Sequence, residues 1–135
     1  MGSMISIGIG CRKSCAGEAI VALVTRALAD CPEHGGIWGL FSLADKRDEP
    51  GLNAAAQTLG FDLVFLTREA LAAATPRLLT RSAAAQSRFG LASVAEAAAL
   101  AGGGPEARLM APRRAAGGAT CAIAFVPRTN RDISA

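Results

Sequence analysis

Basic side chains gather at three places in the chain, Arg12-Lys13, Lys46-Arg47 and Arg113-Arg114. Each pair falls where the surrounding pattern changes between strand and loop, so these charges belong to the ends of predicted elements. Two carboxylates, Asp45 and Glu49, bracket the second pair. A carboxylate so placed can take a proton from water as a general base. The same residues can serve structure instead, Asp45 by bonding Lys46 or capping the next helix, Glu49 by sitting in that helix's first turn. Cys11 has the residue type of a nucleophile if Arg12, Lys13 and a helix N-terminus favour its thiolate. No histidine base lies near it in sequence, and a structural or anion-loop cysteine is the competing reading. The sole histidine, His34, stands in the loop Pro32-Glu33-His34-Gly35-Gly36, an ordinary setting for an exposed side chain.

Cys11 and Cys15 form a C-x3-C pair, but no further cysteine or histidine stands at ligand spacing, so no metal is expected. Gly8 and Gly10 give a short G-x-G, small either because a ligand approaches the backbone or because a helix packs there. The lysine and Ser/Thr of a P-loop and the later glycine of a dinucleotide fingerprint are missing, which weakens a phosphate or nucleotide reading. Thr120 is either a site contact or a plain β-branched strand residue.

These residues need a scaffold, and the apolar pattern supplies one. Ile5, Ile7 and Ile9 alternate with Ser6, Gly8 and Gly10, which predicts a strand with its branched side chains on one face. From Cys15 to Asp30 apolar residues recur at helical spacing, with Ser14 in N-cap position. Ile37 to Leu43 reads as a buried strand, and Pro50 opens a helix that Gly60 ends. Phe61 to Leu66 is a third strand, and Thr67 starts a short helix. The stretch from Thr75 to Phe89 gives no assignment and suits a mobile loop over a site. Ser93, with Glu96 three residues on, makes a capping box for a helix to Ala101, ended by Gly102-Gly103-Gly104-Pro105. Two further strands, Ala107 to Ala111 and Thr120 to Val126, flank the link Pro112 to Gly118, and so short a link predicts antiparallel neighbours.

The alternation predicts a single three-layer α/β/α domain with a mixed, mainly parallel sheet of about five strands, the last antiparallel. In such sheets ligands bind at the carboxyl ends of the strands. Parallel topology puts the loops carrying Cys11-Arg12-Lys13 and Asp45 to Glu49 on that one edge, which is the predicted site.

Met1-Gly2-Ser3 reads as an artificial leader, residues 4–127 as the domain and residues 128–135 as a frayed tail. A length of 135 residues fits one domain with a real core. About half of the residues are apolar, many of them alanines in helix-favouring runs. No run is long enough to cross a membrane, and no secretory signal follows Met4, so a soluble cytoplasmic protein with reduced thiols is expected. A net charge of +3 without a basic stripe interleaved with aromatics argues against nucleic acid.

Gly8-Ile9-Gly10-Cys11-Arg12-Lys13 resembles the GIGCR signature of the family formed by the stand-alone CobE proteins and the C-terminal domain of CbiG. Asp45 to Leu52 is similar to that family's D-K-x-x-E-x-G-L segment, and Gly90 to Leu100 to its G-x-x-S-V-A-E-A-A-A-L segment. Ala107 to Ala124 resembles its basic turn and T-x-A-I-A strand. The matches occur in order over nearly the whole chain. Ser14 and Cys15 depart from the small or Thr-type residues of many relatives, and Arg113-Arg114 stand where lysine is common. The resemblance does not extend to the extra N-terminal regions of CbiG, which opens the δ-lactone of a cobalt-precorrin and releases acetaldehyde.

The resemblance implies a cobalamin (corrin ring) biosynthesis protein whose ligand is a precorrin-type tetrapyrrole, a polyanion with a flat apolar centre. Arg12, Lys13, Lys46, Arg113 and Arg114 are then candidate carboxylate contacts, alongside Gly8, Gly10, Cys11 and Thr120, since arginine grips a carboxylate through two parallel hydrogen bonds. The competing view is that these charges are solvated loop groups. The implied role is that of a carrier or assisting factor without a cofactor of its own. The alternative is a lactone hydrolase with Asp45 or Glu49 as base. Other enzymes of the pathway and a second copy of the chain are held open as partners.

Overall fold

The computed structural model describes residues 4–31, 35–79 and 93–127. The first strand, β1 (Met4–Cys11), leads to α1 (Gly17–Ala29), β2 (Gly36–Leu43), α2 (Pro50–Leu59) and β3 (Leu63–Leu66). There follow α3 (Arg68–Ala72), α4 (Val94–Gly103) and the strands β4 (Arg108–Leu109), β5 (Arg114–Ala116) and β6 (Ala119–Val126). The strands form one sheet in the order β3-β2-β1-β6, with β4 and β5 both paired to the far side of β6. β1, β2 and β3 run parallel, and β6 runs antiparallel to β1 along its whole length, from Met4 opposite Val126 to Cys11 opposite Ala119. The predicted α/β architecture and antiparallel last strand are what the fold contains.

The alternation in β1 divides the core into two layers. Ile5, Ile7 and Ile9 are fully buried with Ile20, Leu23 and Val24 of α1 and Leu52 and Ala55 of α2. On the other face Ser6, Gly8 and Gly10 lie under α4, whose alanines pack with Phe41, Leu43 and Ala122. A side chain at Gly8 would put its Cβ 1.9 Å from the carbonyl oxygen of Ala95. Gly8 therefore lacks a side chain because the helix backbone sits on the strand, which accounts for the residue by packing. The hydroxyl of Ser6, also buried, donates to the carbonyl of Ala99 at 2.7 Å and ties the same helix down.

Several element boundaries differ from the predicted ones: α4 runs on through Gly103, past its predicted end at Ala101, and β4 spans only Arg108–Leu109 of the predicted Ala107 to Ala111. Ser14 is not the N-cap of α1; that position belongs to Ala16, which has no side-chain cap. Ser14 adopts φ 63°, a left-handed conformation, and its N–H donates to Oε1 of Glu49 at 2.7 Å. The link between the last two predicted strands contains a strand of its own, β5. Gly117 and Gly118, at φ 61° and 84°, close a two-residue hairpin between Ala116 and Ala119. Two successive positive φ values match the twist of an antiparallel ladder, so main-chain geometry creates a pairing that side-chain alternation does not reveal.

Candidate functional site

Two loops and the start of a helix meet at the carboxyl edge of the sheet. The first, Cys11 to Cys15, leaves β1 and is fastened by the N–H of Arg12, which donates to the carbonyl of Gly118 in the β5–β6 turn at 2.9 Å. The second, Ala44 to Glu49, leaves β2 and is fastened to the first by the Glu49–Ser14 bond. At Gly51, a Cβ would fall 2.0 Å from the carbonyl of Cys15, so the opening turns of α1 and α2 press together through backbone. The D-K-x-x-E-x-G-L segment is thus a clamp: Glu49 grips the first loop with its side chain, and Gly51 lets the second helix close on it.

The third component is α4, which runs antiparallel to β1 and starts behind Gly10, with Val94 beside that glycine. Ser93 is the N-cap, and its Oγ accepts the N–H of Glu96. The carboxylate of Glu96 does something a capping box does not require. Fully buried, it accepts the N–H of Leu79 at 2.7 Å and that of Arg113 at 2.9 Å. Two segments distant in sequence are thereby held to the first turn of α4. Sequence reasoning assigned Glu96 only a local role, and the spacing to its partners carries no local signal that would reveal this one.

The predicted basic residues divide into groups. Arg12 and Lys13 are exposed at the edge and, among the described residues, their side chains have no partner. Lys46 is only 8% exposed, and its ammonium acts electrostatically on Cys11. Arg113 is half-buried and held through its main chain by Glu96. Arg114 faces another way. Its guanidinium pairs with Asp30 at 2.7 Å, just past the end of α1 and hence toward the opposite end of the sheet. Arg113 precedes β5 and is anchored by Glu96 through its N–H, whereas Arg114 opens β5 and is drawn to Asp30, which separates the two side chains. Thr120, half-buried, stands opposite Gly10 in the β1–β6 register and donates its hydroxyl to the Gly10 carbonyl at 3.3 Å. It occupies the space that a side chain at Gly10 would need.

Neither candidate base is free of structural duty. Asp45 accepts from Nε and Nη2 of Arg68, which hold its carboxyl below the usual carboxylate range; an acid so shifted is a weak proton acceptor. One oxygen of Glu49 is engaged by Ser14. Burial pushes the Cys11 thiol up to about 11, against the opposing pull of Lys46, which disfavours the thiolate a nucleophile needs. Burial also raises Cys121, to about 12, and Cys15. The four cysteines are free thiols. Among the described residues no cluster of three or more His, Cys, Asp or Glu side chains is arranged to hold a metal ion, and no helix is long and apolar enough to cross a membrane. His34 and most of the segment from Thr75 to Phe89 lie outside the described residues.

An open α/β sheet with helices on both faces is an architecture in which ligands bind at the carboxyl ends of the strands. Residues 5–124 match the family described as cobalamin synthesis G C-terminus, and the chain belongs to that family. It is 36% identical over 124 residues to Protein CobE from Sinorhizobium sp, covering 91% of this chain and 80% of the relative. Among solved structures it is similar to CobE, a protein from the cobalamin (vitamin B12) biosynthetic pathway, with TM-score 0.81, 40% identity and coverage of 94% and 93%. It is also similar to cobalamin biosynthesis protein chiG from Agrobacterium tumefaciens str. C58, with TM-score 0.69, 36% identity and coverage of 92% and 99%. The chain is a protein of cobalamin biosynthesis.

Proposed function

We propose that the carboxyl edge of the sheet binds the carboxylate arms of a precorrin-type tetrapyrrole, and that the protein carries or presents this intermediate rather than transforming it. The observation that carries the reading is the contrast between charges at the edge. Arg12 and Lys13 have side chains without partners among the described residues, whereas Asp45 is tied to Arg68 and Glu49 to Ser14. Unpaired cations on a loop that leads into a helix N-terminus suit an anion, and committed carboxylates do not suit a general base. Lys46 and Arg113 flank the same edge, and Cys11, Gly10 and Thr120 form its floor. Gly8 contributes through helix packing.

The test is an absorbance-monitored titration with isolated precorrin and cobyrinic-type intermediates, repeated with Arg12→Ala and Arg113→Ala. A saturable spectral change without product, weakened roughly tenfold or more by either substitution, supports the reading. Equal affinity in both variants removes the edge as the site. Release of acetaldehyde, or an opened lactone, would replace the carrier role by hydrolysis.

A further inference from the structure

A second feature lies at the other end of the sheet. Between the turn that ends α4 and the end of β6 there is a hollow of about 780 Å³. Phe125 forms one wall and stands opposite Arg108 in the β4–β6 register. Ala107 is the buried floor, and Pro105 and Pro127 add apolar rims. Phe125 also pairs with Ile5 near the start of β1. The hollow is therefore separated from the Cys11 edge by most of a strand, roughly 20 Å.

Arg77 enters this hollow already oriented. Its Nη1 donates to the carbonyls of Gly104 and Pro105, both at 3.3 Å, and of Ala107 at 2.8 Å. These carbonyls lie at the end of α4, where a cation is favoured. They fix the guanidinium plane while leaving Nε and Nη2 without partners among the described residues. Among the described residues no fully buried side-chain nitrogen lacks a partner, so those two N–H edges are at least partly accessible. Arg108 is exposed and also has no partner among the described residues. Among the described residues Glu106 is the one carboxylate in the lining, and it pairs with neither arginine.

We infer that this hollow is a second binding site, for a small organic acid with a flat apolar body. The carboxylate lies between Arg77 and Arg108, and the ring rests against Phe125 and the prolines. A guanidinium held at one end and open at the other loses little freedom on binding, which favours bidentate capture. The volume suits a ligand of one or two rings. A carboxylate arm of a macrocycle offers the same chemistry, although only the arm would enter.

The experiment is an amide NMR titration of the full chain with benzoate, with benzamide as the uncharged isostere, and with coproporphyrin as the macrocyclic source. Benzoate is expected to shift the amides of Ala107, Arg108 and Phe125 saturably and to leave those of Arg12 and Gly118 unmoved. Benzamide should not do so. Arg108→Ala, at an exposed position that leaves the fold intact, should weaken benzoate binding roughly tenfold; Arg77→Lys, which keeps the charge but loses the planar fork, should weaken it as well. Saturable shifts at the hollow with coproporphyrin and none with benzoate would assign the site to a macrocycle arm. Equal response to benzoate and benzamide, no saturable response to either acid, or unchanged affinity in both variants would overturn the proposal.

Discussion

The carboxylate of Glu96 and the main-chain N–H of Arg113 meet at 2.9 Å in the interior, although 17 residues separate them in sequence. The other oxygen of the same carboxylate takes the N–H of Leu79. A wholly buried carboxylate is costly unless its lone pairs are satisfied, and here main-chain donors from two segments satisfy them. The arrangement fixes where the basic segment departs from the sheet and so where the Arg113 side chain begins.

Removing that carboxylate leaves two donors unsatisfied. Glu96→Ala is expected to cost about 3 kcal/mol, a fall in melting temperature of roughly 10 °C. Glu96→Gln keeps the shape but turns an amide NH2 toward one of the donors, so it should recover little of the loss. Hydrogen exchange gives the specific readout: protection of the Leu79 and Arg113 amides should drop in both variants. Undiminished protection would show that these amides do not depend on Glu96.

The two glycines of the first strand should respond differently to a methyl group. At Gly8 the new Cβ meets the backbone of Ala95, which cannot rotate away. Gly8→Ala should cost more than about 3 kcal/mol or prevent folding, as measured by urea unfolding. At Gly10 the close atom is the hydroxyl of Thr120, 2.6 Å from the added carbon, and a side chain can turn aside. Gly10→Ala should cost about 1 kcal/mol, most of it recovered when Thr120→Ala is added.

Local pattern made much of this fold legible. Alternating isoleucines gave β1 its buried face, Pro50 and Gly60 bounded α2, and Thr67 accepts the N–H of Ala70 at 3.1 Å as an N-cap should. What escaped was non-local. Ser14 has a capping residue's chemistry, but its conformation is set by Glu49, 35 residues away. The strand β5 exists because two glycines turn the chain, not because its own residues alternate. Within the site, the basic pairs were visible, whereas the parting of Arg113 from Arg114 depends on the distant partners Glu96 and Asp30, and the pairing of Asp45 with Arg68 on the β2–β3 neighbourhood.

The Asp45–Arg68 pair makes a signed prediction for pH. Hydrogen bonding to Arg68 lowers the folded pKa of Asp45 below its ordinary value of 3.8. The contribution is then fully present above the unfolded value and is lost as pH falls through the folded one. The stability difference between the parent and Asp45→Asn should therefore be constant from neutral pH to about pH 5 and vanish at strongly acidic pH. Both side chains are solvent-exposed, so the difference should be small and shrink with added salt. An NMR titration of the Asp45 carboxyl gives the shift directly. An ordinary or raised value would remove the interaction and restore Asp45 as a candidate base.

Cys11 should be a slow thiol. With its pKa pushed up to about 11, the thiolate fraction near neutral pH is roughly a hundredfold below that of an ordinary cysteine. Alkylation by iodoacetamide, followed by peptide mass spectrometry, should find Cys11 lagging behind a free cysteine by about that factor. Lys46→Met removes the charge that favours the thiolate and should slow the reaction further. Fast labelling of Cys11 would show that its burial is not maintained in solution.

Arg113 and Arg114 give the sharpest separation between binding and stability. Arg114 holds Asp30 in a half-exposed pair away from the edge, so Arg114→Ala should cost at most about 1 kcal/mol and leave tetrapyrrole affinity unchanged. Arg113 has no ion-pair partner among the described residues, and its backbone N–H, not its side chain, meets Glu96. Arg113→Ala should therefore leave unfolding nearly unchanged while weakening the ligand, with a shallower dependence of affinity on salt because one charge contact is gone. Arg12→Ala should behave like Arg113→Ala. If Arg114→Ala weakens binding as strongly as the other two, the ligand reaches beyond the carboxyl edge and the proposed orientation of the basic side chains is wrong.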